Sequence, residues 1–189
     1  MTIGHGFEAV LVAARQGEEW AWEAIYRDLA GPVTGYLRGR GAAEPEDAAS
    51  ETFLQVSQGI STFRGDERAF RSWVFVIAHR RLIDDRRAAG RRPIQVSDED
   101  MAIVNEMVAP SAEDEAEITM SSAQIVWMLA PLTEEQRDVL LLRVVAGLGV
   151  REVAGVLRKS DGSIKLLQHR ALAALRRRIS RKPVTNGRP

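Results

Sequence analysis

Apolar positions along this chain recur at three- and four-residue spacing wherever they recur at all, and no stretch shows the strict alternation of a half-buried strand. The pattern predicts an all-α protein. Residues 18–37 carry Trp22, Ile25, Tyr26 and Leu29 on one face, with Pro32 as the expected point of a bend or break. Pro45 stands where a helix opens, Glu46, Asp47 and Glu51 lie near the positive end of its dipole, and Phe53, Leu54 and Val56 supply its apolar contacts. Phe63-Arg64-Gly65-Asp66-Glu67 reads as a polar turn ending in an N-cap. From it runs the helical stripe Phe70, Trp73, Val74 and Ile77, and Pro93 biases Arg92 away from helix and marks a boundary.

Residues 93–117 hold two prolines, few periodic apolar positions and no basic residue, which predicts a linker with room for a short helical piece around Asp100 to Met107. A second unit opens near Ala116, where Ile118, Ile125, Val126, Met128 and Leu129 form a helix that stops at Pro131. Thr133-Glu134-Glu135-Gln136 fits a capping box, and Val139 to Val145 is apolar enough to be a buried helix. Val150 to Leu157 then reads as a short helix, Arg158-Lys159-Ser160 as a tight connection, and Asp161 to Ile179 as a longer helix capped by Ser160 or Asp161. This is helix-turn-helix spacing. Val153, Ala154, Leu157, Ile164 and Leu167 would pack the pair together, leaving early polar positions of the second helix to enter a major groove. Lys165 and His169 share one face, as do Leu166 and Arg170. A helical hairpin with a basic surface is the plainer reading of the same pattern.

Charge sharpens this picture because it is segregated. The chain of 189 residues has a formal net charge of zero, yet residues 1–62 carry net −5, 63–92 net +5, 93–120 net −8 and 151–182 net +8. Phosphate affinity follows the local density of Lys and Arg, so two basic blocks separated by an acidic one suit two nucleic-acid contacts; they equally suit two solvated helix faces. Arg176-Arg177-Arg178, continuing to Arg181-Lys182, fits phosphate contact or a solvated helix end better than base readout.

Other chemistries find little support. There is no cysteine, which excludes disulfides, thiolate metal sites and a cysteine nucleophile, and argues for a cytoplasmic setting. The histidines, His5, His79 and His169, lack metal-ligand spacing, so no metal or other cofactor is expected. Gly4-His5-Gly6-Phe7-Glu8-Ala9 matches a dinucleotide fingerprint only superficially, since no strand can precede it, and no phosphate-binding G-x-x-x-x-G-K-[ST] run occurs. The chain is therefore not expected to be an enzyme. The longest apolar stretches fall well short of the roughly 20 residues of a membrane-spanning helix, and no signal peptide or anchor is expected. A one-piece repressor would account for the last 60 or so residues through their helix-turn-helix, but not for the Phe63 to Arg92 block or the acidic segment.

Taken together, Phe63-Arg64-Gly65-Asp66 with Phe70 to Ala78, Glu46 to Leu54, Leu132-Thr133 to Leu140, and Ile164-Lys165 to His169-Arg170-Ala171 resemble the extracytoplasmic function (ECF) RNA polymerase sigma factors. The resemblance covers roughly residues 7–92 and 118–180. It implies two small helical domains, sigma-two-like over 7–92 and sigma-four-like over 118–182, an acidic flexible linker over 93–117 and a disordered tail over 183–189, with no further C-terminal domain. It also implies a cytoplasmic, nucleoid-associated initiation factor whose partners are core RNA polymerase, through the beta-prime clamp helices and beta flap, promoter DNA and an anti-sigma factor. By resemblance, Glu46, Asp47, Ser50, Glu51, Phe53 and Gln55 would face polymerase, although Phe53 suits core packing better. Arg64, Gly65 and Asp66 would capture a flipped minus-ten base, with His79, Arg80, Arg81, Arg86 and Arg87 along the single-strand path. Arg80 and Asp84, at four-residue spacing, also suit a surface pair. Trp73 suits stacking on a base less well than core.

Minus-thirty-five contact would fall to Arg151, Ser163, Lys165, Leu166, Gln168, His169 and Arg170. Leu166 could meet a thymine methyl and Gln168 an adenine, while Leu167 is expected against the preceding helix. The linker's eight carboxylates suit either a nucleic-acid mimic in a basic channel or a solvated tether. The chain departs from the family in lacking an adjacent aromatic wedge on the Phe70 helix, which implies weaker melting than in housekeeping sigma factors. It also has Leu166 and Leu167 where relatives have a small or polar residue and Arg, and Arg158 in a turn where Gly is common, so that turn is expected to be strained or differently shaped.

Overall fold

A computed structural model describes residues 3–90 and 128–180. The expected linker, its short helical piece, most of the helix before Pro131 and the tail lie outside the described residues. Within them every regular element is helical. The helices are α1 (Phe7–Arg15), α2 (Glu19–Gly39), α3 (Pro45–Gly59), α4 (Glu67–Gly90), α5 (Glu134–Val144), α6 (Val150–Leu157) and α7 (Asp161–Ser180).

The first four helices pack around Ile25, Leu29, Val33, Tyr36, Leu37, Val56, Phe70, Val74, Phe75 and Leu82, all fully buried. α2 runs unbroken through Pro32, so the expected break is not present. Proline removes one helical donor, and the buried stripe from Ile25 to Leu37 holds the turns on either side. α3 opens on Pro45 with Glu46 and Asp47 in its first turn, where the helix dipole favours carboxylates. Two residues assigned to packing faces prove open to solvent: Tyr26 is 55% and Leu54 57% exposed.

The last three helices pack around Val139, Leu142, Val153 and Ile164. α5 starts with the expected capping box: the Thr133 hydroxyl accepts from the Gln136 N–H, and the Gln136 side chain accepts from the Thr133 N–H. Val153, Ala154 and Ile164 are buried between α6 and α7, while Leu157 and Leu167 are half-buried at the edge of that seam. Arg158, between the two helices, adopts left-handed backbone at φ 53°, a geometry that costs a side-chain-bearing residue roughly 1–2 kcal/mol. The expected strain is therefore real.

The two helical groups touch. α4 lies against α6, and α2 meets α5. On α2, Gly35 and Gly39 lie one turn apart, and a Cβ on them would stand 3.2 Å from Val145 and 2.9 Å from Leu141. The pair of glycines forms a notch that receives the apolar side of α5.

Candidate nucleic-acid interface

The turn between α3 and α4 is built for a fixed shape. Arg15 donates from Nε to the Ile60 carbonyl at 3.3 Å and from Nη2 to the Phe63 carbonyl at 2.7 Å, stapling the turn to α1. Arg64 folds back, donating to the carbonyls of Ser61 at 2.8 Å and Phe63 at 2.7 Å. Asp66 Oδ1 accepts from the Ala69 N–H at 2.8 Å and so caps α4, as expected of a residue in this place. Gly65 adopts φ +148°, and a Cβ there would fall 2.8 Å from the Ala69 Cβ and 3.1 Å from the Phe63 ring. Only glycine fits. Beside the turn opens a cleft of about 530 Å³ lined by Phe7, Leu11, Arg15, Arg64, Gly65 and Asp66.

Aromatic rings support this turn from below. Phe63 stacks on Trp73 at 5.2 Å between centroids and meets Phe70 edge-on at the same distance. Trp73 is thus committed to the protein, in agreement with its reading as a packing residue. Along α4, Arg80 is exposed, Arg81 pairs with Glu51 at 2.5 Å and with Asp85 at 3.2 Å, and Arg87 lies 3.7 Å from Asp84. Arg86 and His79 face the second helical group. Arg86 donates to Glu134 at 3.0 Å and to the carbonyl of Arg40.

On α3, Glu46 pairs with Arg38, Ser50 donates to the Glu46 carbonyl at 3.0 Å, and Asp47 and Gln55 point to solvent. Phe53 is half-buried, with its ring 5.0 Å from that of Tyr26. The periodicity gave no sign that Tyr26 and Leu54 stand open beside the acidic residues, because a helical repeat marks an apolar face without saying what covers it.

In the helix-turn-helix, Ser160 Oγ accepts from the Ser163 N–H at 3.3 Å and caps α7. Lys165, His169 and Arg170 are exposed, Gln168 is half-buried, and Leu166 is 49% exposed. Leu167 turns toward the core, as expected. Leu166, His169 and Arg170 line an open cleft with Thr133 and Gln136 at the start of α5. Arg151 is exposed, with Nε 3.9 Å from Asp161.

One cluster escaped the sequence reading. Asp138 of α5 is buried, with Oδ1 2.5 Å from Arg40 Nε and accepting from the Tyr36 hydroxyl at 2.9 Å. His79 Nδ1 lies 2.7 Å from the same hydroxyl, a chain satisfied when the imidazole donates to Tyr36 and Tyr36 to Asp138. Burial pushes the Asp138 carboxyl up, against the pull of Arg40 and His79. Burial also lowers the His79 imidazole, and Arg40 and Arg86 beside it act in the same direction while Asp138 opposes them. Among the described residues no group of acidic or histidine side chains could hold a metal ion, and no helix is long and apolar enough to cross a membrane.

Comparison with known proteins adds the following. A family model described as Sigma-70 region 2 matches residues 22–92, and one described as Sigma-70, region 4 matches residues 122–175. The chain is 36% identical over 166 residues to the ECF RNA polymerase sigma factor BldN of Streptomyces coelicolor, covering 87% of this chain and 62% of BldN, so it spans less than two thirds of that relative. It is 35% identical to the ECF RNA polymerase sigma factor ShbA of Streptomyces griseus, covering 69% of each chain. It is 30% identical to the ECF RNA polymerase sigma factor SigL of Mycobacterium tuberculosis over 91% of this chain and 96% of that one. In fold it is similar to CnrH, solved in complex with the cytosolic domain of CnrY, with a TM-score of 0.64 at 19% identity, covering 91% of this chain and 96% of CnrH. It is also similar to the sigma factor RpoE of Bartonella quintana, solved with the anti-sigma factor NepR, with a TM-score of 0.56 at 17% identity, covering 93% of this chain and 95% of RpoE.

Proposed function

The chain belongs to the ECF RNA polymerase sigma factors, transcription initiation factors and not enzymes, and from that premise we propose how its surfaces divide the work of initiation. The chain binds core RNA polymerase, directs it to chosen promoters and assists their opening. The face of α3 bearing Glu46, Asp47, Ser50, Glu51 and Gln55, with Tyr26, Phe53 and Leu54, takes the polymerase clamp. The beta flap takes the second helical group.

The turn at Arg64, Gly65 and Asp66 receives an extruded minus-ten base in the cleft beside α1, with His79, Arg80, Arg81, Arg86 and Arg87 as the adjoining strand path. Arg151, Ser163, Lys165, Leu166, Gln168, His169 and Arg170 read the minus-thirty-five element in the major groove. Domain limits of 7–92 and 118–182, with 93–117 as acidic linker and 183–189 as tail, belong to the same proposal. So does action at the nucleoid in the cytoplasm.

The observation that carries this reading is the turn at Phe63 to Asp66, stapled by Arg15 and closed to any side chain at position 65, set beside an open cleft. Preorganised backbone next to a base-sized cleft is what capture of a flipped nucleotide requires. An anti-sigma factor is the further partner proposed, a class of protein that binds RpoE in the structure with NepR. Purified protein added to bacterial core polymerase and a pool of promoter fragments tests the function. Defined, protein-dependent transcript starts support it. Absence of any complex with core polymerase, together with tight duplex binding by the chain alone, would replace it with a repressor.

A further inference from the structure

The second helical group covers one face of the first through a contact more specific than apolar packing. Arg40, at the end of α2, is 3% exposed; its Nε lies 2.5 Å and its Nη2 3.8 Å from carboxylates of α5, Asp138 and Glu134 respectively. Its Nε and Nη1 are both buried with no aligned hydrogen bond among the described residues, so the contact with Asp138 is an ion pair. Arg86 donates to the same Glu134 at 3.0 Å, and His79 lies 3.9 Å from Asp138. Two guanidinium groups and one imidazole of the first group thus converge on two carboxylates of the second. Arg87 and Lys159 stand at the rim of the open cleft where they meet.

The chemistry of this cluster resembles that of a nucleic-acid backbone site. A carboxylate and a phosphodiester each present a single negative charge over paired oxygens, and a guanidinium recognises both in the same forked manner. The two carboxylates leave Nε and Nη1 of Arg40 without an aligned acceptor, and a phosphate entering the cluster can supply one. Two of the three basic residues, His79 and Arg86, are those assigned above to the minus-ten strand path. The inference therefore rests on that reading. The apolar part of the contact, Leu141 and Val145 seated in the Gly35 and Gly39 notch, brings the carboxylates to the site.

We propose that Arg40, His79 and Arg86 form a binding site for the backbone phosphate of promoter DNA, which Glu134 and Asp138 occupy by mimicry in the closed chain, so that the second helical group and DNA compete for it. Arg40 is the DNA contact that no other feature assigns. Closure holds the free chain silent, and separation of the two groups exposes the site.

The full-length chain tests this with two readouts: radius of gyration by small-angle scattering, and anisotropy of a labelled single-stranded oligonucleotide. The doubly neutralised chain, Glu134→Gln with Asp138→Asn, is expected to expand and to bind the oligonucleotide about tenfold tighter, as when a minor binding-competent state becomes the major one. Gly39→Val, which pushes α5 away without altering a charge, is expected to do the same. Arg40→Met added to the neutralised chain is expected to remove most of the gain and lower the logarithmic salt slope by about 0.7, one phosphate on a single strand. The proposal is overturned if the neutralised chain stays compact, if it expands without binding tighter, or if Arg40→Met leaves the tighter binding intact. Polymerase-dependent initiation is scored separately, so loss of the sigma reading and loss of this site give different results.

Discussion

At the scale of single residues, the proposed function rests on a few positions with little steric freedom. Gly65 is one: with a Cβ contact of 2.8 Å awaiting any substituent, Gly65→Ala must displace Phe63 or the start of α4. Promoter opening should fall at least about tenfold, on the scale of a positioned group misplaced by an ångström, while core polymerase affinity holds. Potassium permanganate reactivity of the minus-ten strand against a core-binding titration separates the two. Arg158 is the opposite case, a side chain in left-handed backbone that glycine adopts freely. Arg158→Gly should raise stability by about 0.5–1 kcal/mol, seen as a melting temperature higher by roughly 1–4 °C. His79 carries a pH dependence. It faces Tyr36 and Arg40 of α2, Arg86 of its own helix, and Asp138 and Glu134 of α5, and its pKa is lowered from 6.5. The folded chain favours the neutral imidazole, so its contribution to folding stability is complete above 6.5 and declines as pH falls through that value toward the lowered one. Asp138, raised from 3.8, acts in the reverse sense, but only in the acidic window above 3.8. Denaturant melts across pH 8 to 5.5 should show stability falling on acidification, and unchanged or rising stability would contradict this.

At the scale of elements, much was legible because helices announce themselves by period and by cap. The Pro45 start, the Asp66 cap, the Thr133 and Gln136 box and the Ser160 cap all stand where side-chain chemistry places them. Thr133→Ala should cost about 1 kcal/mol in denaturant melts, the usual worth of such a cap. Pro32 was misleading because its cost, about 3 kcal/mol, is outweighed by burial of Ile25, Leu29, Val33, Tyr36 and Leu37 along a helix of 21 residues. Tyr26 and Leu54 were misleading for a different reason. Their spacing is that of a core face, yet they stand open beside the acidic residues of α3, where a partner can cover them. Trp73 and Leu167 were read correctly, since both lie in register with residues that are buried.

At the scale of the whole molecule, charge segregation marked two basic blocks, but not their arrangement. Nothing in the run Gln136-Arg137-Asp138-Val139 distinguishes Asp138 from an ordinary surface carboxylate. Its burial comes from α2 and α4, roughly 100 and 60 residues earlier in the chain, and contacts at such separation leave no local pattern. The same applies to Gly35 and Gly39, which serve α5 and not the turn or cap that glycine usually marks. Removing one partner of the buried pair leaves the other charge uncompensated. Arg40→Ala should therefore loosen the closed packing by about 3–5 kcal/mol unless the groups separate, in which case the loss in global stability is smaller and the expansion larger. Chemical denaturation combined with scattering distinguishes these responses.

The central claim is that two surfaces of one chain read two promoter elements for RNA polymerase. Its most direct measurement uses reconstituted holoenzyme on a single promoter whose minus-ten and minus-thirty-five elements are mutated in turn, with Arg80→Ala and Lys165→Ala chains compared with the unaltered one. The expected result is that Arg80→Ala lowers initiation and blunts its dependence on minus-ten sequence alone, while Lys165→Ala does so for minus-thirty-five alone. Initiation that ignores both substitutions, or a chain that gives no polymerase-dependent start on any promoter, would contradict it.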